Sequence, residues 1–485
     1  MSPLLNLFHP LIAQWFSQLG EPTEVQAKAW PVIAAGSHCL ITAPTGSGKT
    51  LTAFLWAINR FATGDLTPGH TRVLYISPLK ALNNDIRNNL IQPLTELQDL
   101  FKQQEVAFPD IRLQTRSGDT DQTERRQMVR RPPEILITTP ESLNILQTSK
   151  SGMSILQHID TVILDEIHSV LGNKRGAYLI SAVERLTGLS GEFQRIALSA
   201  TIQPLTVAAD FIGGYFFDHE SANGGSYPVY HKRQVELVES HQQKQYDVKI
   251  CYPESVANKA EDKNLWDALA VELVAVIRQN RSTLIFVNSR ALCEKLTHKI
   301  NVAAEHVIAY AHHGSLSKDI RFAVEQRLKK GELAAIVATA SLEMGIDIGT
   351  LDEVIIVQGA GSMSSAIQRI GRAGHQVGQI SRGTLYPTHP QDFIEAVVLT
   401  KAVKAKDIEP VSPVGCPLDV LAQVIISVTS QQRWDLDALY AHIRCISVFH
   451  SLSRRHFDLI TDMLAGRYTD NRIRELRPRV SIDRL

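Results

Sequence analysis

Residues 40–50 read LITAPTGSGKT, and this stretch decides how the first part of the chain folds. The apolar run at its start predicts a buried strand, and residues 51–61 after it have the pattern of a helix. Glycines between a strand and a helix N-terminus let backbone N–H groups surround a phosphate chain, and the helix dipole adds a further attraction. The sequence therefore predicts a phosphate-binding loop.

The side chains of this loop have separate expected roles. We expect Lys49 to reach the β- and γ-phosphates of a nucleotide and Thr50 to place its hydroxyl on Mg²⁺. Ala43 stands where the usual pattern has its first glycine. A glycine-rich turn without a ligand is the alternative, but strand, GKT and helix occur together in the right order. ATP and Mg²⁺ are thus the expected cofactors, and the predicted nucleotide-binding residues of the loop are Thr45, Gly46, Ser47, Gly48, Lys49 and Thr50.

The bulk composition limits the class of protein. A chain of 485 residues suggests about three domains. Lys and Arg together number 50, as do Asp and Glu, so any nucleic-acid binding must use a local basic groove. The five cysteines contain no CxxC pair, which argues against a zinc site or a disulfide framework and predicts a reducing, cytoplasmic setting. No apolar stretch approaches the roughly 18 residues of a membrane span, so we expect no membrane partner.

Short apolar runs alternate with helical stretches in two separate parts of the chain, which predicts an α/β fold. Fully apolar runs of this kind are typical of parallel sheets covered on both faces. Three short helical patterns and a basic, β-prone tail (472–485) follow and predict a winged helix, and the polar residues 219–234 predict a connection between lobes. The predicted domains are 1–232, 233–405 and 406–485. The predicted strands are 39–43, 73–77, 135–139, 162–164 and 196–199, then 283–288, 307–310, 335–338, 354–357 and 384–386; the predicted helices of the winged helix are 418–430, 436–447 and 454–464.

Two acids follow the apolar run that ends at residue 164. Asp165 at a strand's carboxyl end is placed to hold Mg²⁺ through water, and Glu166 to polarise the water that attacks the γ-phosphate. An Asp-Glu pair alone is usually a solvated strand end, but Lys49 in the same lobe strengthens the interpretation. Ser199 and Thr201 end the next strand, and we expect them to couple these acids to bound nucleic acid.

The segment QRIGRAGH in the second lobe carries two arginines three residues apart, Arg369 and Arg372. This spacing puts both guanidinium groups on one side of a helix. We expect them to act as arginine fingers on the γ-phosphate. A surface helix with two solvated arginines is the alternative. Upstream, we expect Thr339 to contact a nucleic-acid phosphate, and Gly345 and Asp347 to face the nucleotide and its ribose.

In this order and spacing, the runs between residues 16 and 386 resemble the superfamily 2 helicases. Residues 21–26 (EPTEVQ) are similar to the Q motif of that family, which implies that Gln26 reads the adenine edge. SPLKAL (77–82), TTPES (138–142), FVNSR (286–290) and HHGS (312–315) resemble motifs Ia, Ib, IV and the small motif after it. The resemblance implies two RecA-like lobes and a track for one nucleic-acid strand. Its expected residues are Pro78, Lys80, Thr139, Pro140, His313, Gly314 and Thr339.

Finer variants resemble the large helicase-related (Lhr) family. They are DEIH, QRIGRAGH and a tail containing PLDVLAQ, DMLAGRY and RELRPRVSIDR. In that family two RecA-like lobes precede a winged helix and further C-terminal domains. Because the chain stops at Leu485, we interpret it as a truncated member or a fragment whose winged helix is incomplete.

The resemblance implies an ATP-dependent DNA helicase of DNA repair that moves 3′→5′ on single-stranded DNA or a tailed duplex, with RNA–DNA hybrids as further substrates. It identifies no protein partner. An RNA helicase is one alternative, because grooves that track phosphates distinguish DNA from RNA weakly. An ATP-gated nucleic-acid binding module without unwinding activity is another. A small-molecule kinase fits less well, since it would not need the arginine pair.

Overall fold

A computed structural model describes residues 3–44, 46–78, 80–222, 225–240, 245–257, 264–343, 349–374, 379–405, 407–467 and 477–483. The chain divides into two compact units. The first unit consists of Met1–Ala43, Gly48–Ser240 and Pro410–Leu485, and the second of Pro44–Ser47 and His241–Glu409.

The first unit is built on a seven-stranded sheet with the strand order β3-β4-β2-β5-β6-β1-β9, in which all neighbouring strands are parallel. Strands β7 and β8 form a separate antiparallel hairpin. The strands of the first unit are β1 (His38–Thr42), β2 (Val73–Ile76), β3 (Leu113–Arg116), β4 (Ile135–Thr138), β5 (Thr161–Leu164), β6 (Gln194–Ser199), β7 (Tyr215–Ala222), β8 (Gly225–Lys232) and β9 (Val235–Glu239).

Helices cover both faces of this sheet, as expected for buried parallel strands. Two buried clusters lie on opposite faces, because Leu40 and Leu74 point into one and their neighbours Ile41 and Tyr75 point into the other. The helices are α1 (Pro10–Leu19), α2 (Glu24–Ala34), α3 (Lys49–Ala62), α4 (Lys80–Gln103), α5 (Gln122–Arg130), α6 (Pro140–Leu146), α7 (Lys150–Ile155), α8 (Lys174–Ser190) and α9 (Leu205–Gly213).

The second unit contains a six-stranded parallel sheet of order β10-β15-β14-β11-β13-β12. Its four central strands alternate with helices, so this unit repeats the α/β construction of the first. Its strands are β10 (Gln245–Ile250), β11 (Thr283–Phe286), β12 (Ala309–His312), β13 (Ala335–Ala338), β14 (Glu353–Val357) and β15 (Ile380–Tyr386). Its helices are α10 (Glu254–Ala257), α11 (Leu265–Gln279), α12 (Arg290–Ala304), α13 (Lys318–Lys329), α14 (Met363–Ile370) and α15 (Pro390–Ala405).

The last described part of the chain returns to the first unit. Helices α16 (Leu418–Thr429), α17 (Leu436–Ile443) and α18 (Arg454–Leu464) share a buried cluster with α8. The hairpin β7–β8 packs on the same helices, since the Tyr215 N–H donates to the Cys445 carbonyl oxygen at 2.8 Å. The three helices are therefore part of one core with the seven-stranded sheet.

The predicted α/β fold class is confirmed, with differences at the edges. All ten predicted strands are present, although the strand predicted at 307–310 lies at Ala309–His312. The predicted polar connection at 219–234 was wrong in part, because backbone pairing continues through it as β7–β8. Residues 477–483, the described part of the β-prone tail, form no strand.

The helices in the described ranges are too short or too polar to span a lipid bilayer.

Candidate nucleotide and nucleic-acid site

The phosphate-loop glycines adopt the backbone conformation that the sequence predicts. Gly46 and Gly48 have φ of 81° and 83°, in the left-handed region that glycine enters without strain. Gly48 is the N-cap of α3, so the loop leads directly into a helix N-terminus. Within Pro44–Ser47 the Ser47 N–H donates to the Pro44 carbonyl oxygen at 3.4 Å, which closes a tight turn.

Lys49 is the first residue of α3 and is 9% exposed. Its ammonium group donates to the Ala43 carbonyl oxygen. Burial lowers the pKa of Lys49, while the nearby charges of Glu166 and Asp165 act in the opposite direction. A buried ammonium with two acids nearby is placed to meet a further negative charge such as a phosphate.

Asp165 directly follows β5 and is held by two donors. Its Oδ1 accepts the Glu166 N–H at 2.8 Å, and its Oδ2 accepts the hydroxyl of Tyr75, a residue of the neighbouring strand β2. Burial and the charge of Glu166 raise the pKa of Asp165 to about 7. Sequence reasoning missed Tyr75, because its contact depends on which strands are neighbours in the sheet.

The donor set around Asp165 fits the expected Mg²⁺. A carboxylate from Asp165 and a hydroxyl from Thr50, the second residue of α3, are hard oxygen ligands of the kind Mg²⁺ prefers, with phosphates and waters completing its shell. Burial and the neighbouring Glu166 disfavour the charged form of Asp165 and raise its pKa. A bound cation would favour the charged form.

His168 lies close to Glu166 and contacts the end of β6. The His168 Nδ1 lies 3.5 Å from Glu166 Oε2, 3.2 Å from the Ser199 hydroxyl and 3.4 Å from the Ala200 N. Since the Ala200 N–H can only donate, Nδ1 is the acceptor in that contact. Sequence reasoning placed Ser199 in the coupling but did not assign His168, although it is the last letter of DEIH. The hydroxyl of Thr201 is buried and has no hydrogen-bond partner among the described residues.

Gln26 lies beside the phosphate loop. Its side chain forms a capping box with Thr23 at the start of α2, with Oε1 accepting the Thr23 N–H at 2.9 Å. A Cβ added to Gly48 would lie 2.8 Å from the Gln26 Nε2. The side chain of Gln26, which is predicted to read adenine, is therefore held beside Gly48 by the capping box of α2.

Arg175 joins motifs Ia and Ib in the first unit. Its guanidinium donates to the Pro78 carbonyl oxygen at 2.6 Å and to both carboxylate oxygens of Glu141, at 2.6 and 3.1 Å. Thr139 is the N-cap of α6 and Pro140 its first residue. The predicted strand-contacting residues of this unit are thus brought together by an arginine that the sequence did not single out.

In the second unit, Arg369 and Arg372 converge on Glu343. The Arg369 Nε donates to Glu343 Oε2 at 2.9 Å, and the Arg372 Nη2 donates to the Glu343 carbonyl oxygen at 2.9 Å. The two arginines are only 6% and 2% exposed, which rules out the solvated surface helix. Arg369 also lies over the Phe286 ring at 5.1 Å, and its Nη1 has no hydrogen-bond partner among the described residues.

The remaining predicted contacts of the second unit lie at the ends of adjacent strands. β12 and β13 pair with His312 opposite Ala338, so His313, Gly314 and Thr339 follow side by side. The His313 Nε2 lies 2.7 Å from Glu294 Oε1, and His312 bridges Ser341 and Glu325 at 2.9 and 3.0 Å.

Four further predicted positions cannot be placed from the structure. Thr45, Gly345, Asp347 and the side chain of Lys80 lie outside the described residues; the Lys80 backbone begins α4.

Three family models match the chain in the order of its parts. Residues 23–209 match the DEAD/DEAH box helicase model, residues 266–376 the helicase conserved C-terminal domain, and residues 401–485 the winged helix domain of large helicase-related proteins. The chain belongs to the large helicase-related family. The two α/β units of the structure are its RecA-like parts, and α16–α18 lie in its winged helix.

Two curated relatives and one solved structure illustrate the similarity. The Lhr helicase/probable uracil glycosylase of Mycolicibacterium smegmatis is 38% identical over 99% of this chain and 33% of its own length. The ATP-dependent helicase Lhr-Core of Methanothermobacter thermautotrophicus is 38% identical over 99% of this chain and 55% of its own. The structure of Mycobacterium smegmatis helicase Lhr bound to ssDNA and AMP-PNP superposes with a TM-score of 0.86, at 41% identity, over 95% of this chain and 58% of that one. This chain therefore spans between a third and somewhat over half of these proteins.

Proposed function

We propose that this chain is an ATP-hydrolysing motor that translocates on DNA and separates its strands. The observation that carries the proposal is one buried group in the first unit, in which Lys49 lies near Asp165 and Glu166, and His168 lies between Glu166 and Ser199. That group would join the chemistry of phosphate transfer to the end of β6, at the same edge of the parallel sheet as the ends of β2 and β4, which precede motifs Ia and Ib. The Lhr structure bound to ssDNA and AMP-PNP supports the choice of DNA and of ATP.

In the proposed reaction each residue of the first unit has one task. The ammonium of Lys49 exchanges the Ala43 carbonyl oxygen for the β- and γ-phosphates, since a charged acceptor is the stronger partner. Thr50 and Asp165 hold Mg²⁺, which would balance phosphate charge when bound. Glu166 orients and deprotonates the attacking water, and Gln26 together with Thr45, Gly46, Ser47 and Gly48 holds the rest of the nucleotide.

The second unit supplies positive charge. Arg369 and Arg372 stabilise the charge that develops on the γ-phosphate, after exchanging their contacts with Glu343 for phosphate oxygens. Until then, the carboxylate of Glu343 holds Arg369 and its carbonyl oxygen holds Arg372. We assign Gly345 and Asp347, which follow Glu343, to the nucleotide and its ribose.

The proposed coupling of ATP hydrolysis to DNA depends on residues at the ends of the β-strands. His168 shares hydrogen bonds with Ser199 and lies against Glu166, so a change in the nucleotide alters the contacts of residues 199–201. We propose that Pro78, Lys80, Thr139 and Pro140 on one unit, and His313, Gly314 and Thr339 on the other, hold the backbone of one strand. Closure and reopening then move the strand. From the family resemblance we propose 3′→5′ movement, a role in DNA repair, activity on RNA–DNA hybrids and a cytoplasmic location.

The direct test measures ATP turnover with no nucleic acid, single-stranded DNA, RNA of the same sequence, or the RNA–DNA hybrid. We expect single-stranded DNA to stimulate turnover and a duplex with a 3′ tail to be unwound, while a 5′-tailed duplex is not. A rate that no nucleic acid changes would contradict the proposal. Stimulation without strand displacement would favour the ATP-gated binding module instead, and stronger stimulation by RNA would favour an RNA helicase.

A further inference from the structure

A cavity of about 290 Å³ lies within the first unit, between helices α6 and α8 on one side and α16 and α17 on the other. Its wall includes Met153, Leu189 and Val428, which make it partly apolar. The cavity is away from the predicted nucleic-acid track. It adjoins the C-terminal end of α6, whereas the track adjoins the N-terminal end of the same helix. Along α8, Arg185 in the cavity wall is ten residues from Arg175, about 15 Å at the rise of a helix.

Arg185 is a buried cation without an acidic partner among the described residues. It is 8% exposed, and its side-chain hydrogen bond to Asn144 is long, with Nη1 lying 3.5 Å from Oδ1. The neighbouring Glu184 does not neutralise it, since that carboxylate pairs with Arg195 and Arg233 at 2.9 Å each. Burial lowers the pKa of Arg185 to about 10. A buried charge of this kind is costly unless a counter-charge joins it.

Two polar atoms of the cavity wall are buried and have no hydrogen-bond partner among the described residues. They are the Gln147 Oε1, an acceptor, and the Trp434 Nε1, a donor. The Gln147 Nε2 donates to the Ala182 carbonyl oxygen at 2.8 Å, which fixes the orientation of the amide. Buried polar atoms without partners are uncommon in folded proteins, and two of them beside a buried cation that has no acidic partner indicate a missing ligand.

We propose that this cavity binds a small organic anion: an acidic group paired with Arg185, attached to a flat apolar body that lies against Trp434, Leu189 and Val428. An acceptor atom of the ligand receives the Trp434 N–H, and a donor reaches the Gln147 Oε1. The volume is at the lower end of the range of ligand pockets, so the ligand has about the size of a single substituted ring. This site is separate from the proposed ATP site and does not depend on it.

The proposal is tested by calorimetry on the full chain with three probes of one shape: phenyl phosphate, benzoate and neutral benzamide. We expect phenyl phosphate and benzoate to bind with Kd below about 10 mM and to raise Tm, because a ligand that binds only the folded state stabilises it. Benzamide should bind at least about tenfold more weakly, since it has the ring but not the charge. Wild-type protein that binds none of the probes, or benzamide as tightly as benzoate, would overturn the proposal.

Two variants locate the binding. Arg185→Gln removes the cation and should weaken benzoate binding at least about tenfold, whereas Arg126→Gln, at an exposed position of α5, should leave it unchanged. Gly188→Leu fills the cavity while keeping Arg185: Gly188 lines the wall, and a Cβ built there meets nothing within 4 Å. It should fold normally by circular dichroism and lose binding. A folded Gly188→Leu protein that binds benzoate like wild type would show that the anion sits elsewhere and contradict the assignment, even if Arg185→Gln fails to fold.

Discussion

The carboxyl ends of the two parallel sheets differ in the sign of their charged residues and in how those charges are paired. In the first unit the acids Asp165 and Glu166 are adjacent, and burial, followed by the charge of Glu166, raises the pKa of Asp165 to about 7. In the second unit Arg369 pairs with the Glu343 carboxylate, and Arg372 donates to the Glu343 carbonyl oxygen. The first sheet end therefore places two acids near one ammonium, that of Lys49, whereas the second places two guanidinium groups at one acidic residue, Glu343. Under the proposed function, the Mg²⁺ bound with a nucleotide would balance the acids of the first sheet end, and phosphate oxygens would replace Glu343 as acceptors for the arginines of the second.

The largest expected effect comes from replacing one of the two acids of the first unit. Glu166→Gln removes the carboxylate that takes a proton from water but keeps a side chain of the same shape. We expect ATP turnover to fall by about 10²–10⁴-fold, with affinity for AMP-PNP retained, measured by steady-state ATPase assays and by nucleotide binding. Glu124→Gln, on exposed α5, serves as the control. Turnover at the wild-type rate in Glu166→Gln would remove Glu166 from the mechanism.

Lys49→Ala tests whether the ammonium group that lies near the two acids of the first unit binds the nucleotide. The ammonium would make charge-assisted hydrogen bonds to phosphates, each of about 1.5–3 kcal/mol, so we expect ATP affinity to fall by roughly 10–150-fold. Lys28→Ala, an exposed lysine paired with Glu24 on α2, is the matched control. Nucleotide affinity that is equal in the two variants would mean that the loop binds phosphate through its backbone alone.

A smaller effect is expected where the strand ends meet the nucleic-acid track. Arg175→Ala breaks the contacts to Pro78 and Glu141 that join motifs Ia and Ib. Loss of about 1 kcal/mol in hydrogen bonding should weaken single-stranded DNA binding about fivefold, as measured by fluorescence anisotropy at fixed salt. The neighbouring Lys174→Ala breaks only an exposed ion pair with Asp419 and should change affinity less. Equal losses in both variants would indicate a general charge effect.

The smallest effect concerns the connection between the acids and β6. His168→Ala removes the ring that contacts Glu166, Ser199 and Ala200. We expect the basal ATPase rate to change by less than its stimulation by single-stranded DNA, which should fall severalfold because each lost hydrogen bond is worth about 1 kcal/mol. The ratio of stimulated to basal rates is the measurement. A ratio that stays constant would show that coupling bypasses His168.

The local sequence pattern was sufficient to predict the central strands and the phosphate loop, but not the edge strands. The central strands and the phosphate loop could be predicted because buried parallel strands are apolar throughout and glycines mark the turn before α3. The strands β3, β9 and β10 were missed because their partly exposed, mixed sequences, such as LQTR at β3, lack that signal. Edge strands of this kind are defined by the neighbour they pair with.

The same distinction applies to the candidate site. The residues that the motifs name, such as Lys49 and Asp165, could be predicted because their chemistry is tied to a short spacing. Tyr75 and Arg175 could not, since the first meets Asp165 across adjacent strands and the second reaches back 97 residues to Pro78. Glu343 was also missed, because only the fold brings it against the arginine pair 26 and 29 residues later.

The measurement that tests the account most directly compares ATP turnover and AMP-PNP affinity in Arg372→Ala. If both sheet ends serve one reaction, turnover should fall by about 10³-fold or more while nucleotide affinity changes little, and Arg382→Ala, an exposed arginine of β15, should behave as wild type. Unaltered turnover in Arg372→Ala would mean that its pairing with Glu343 is purely structural and that the second unit contributes no charge to hydrolysis.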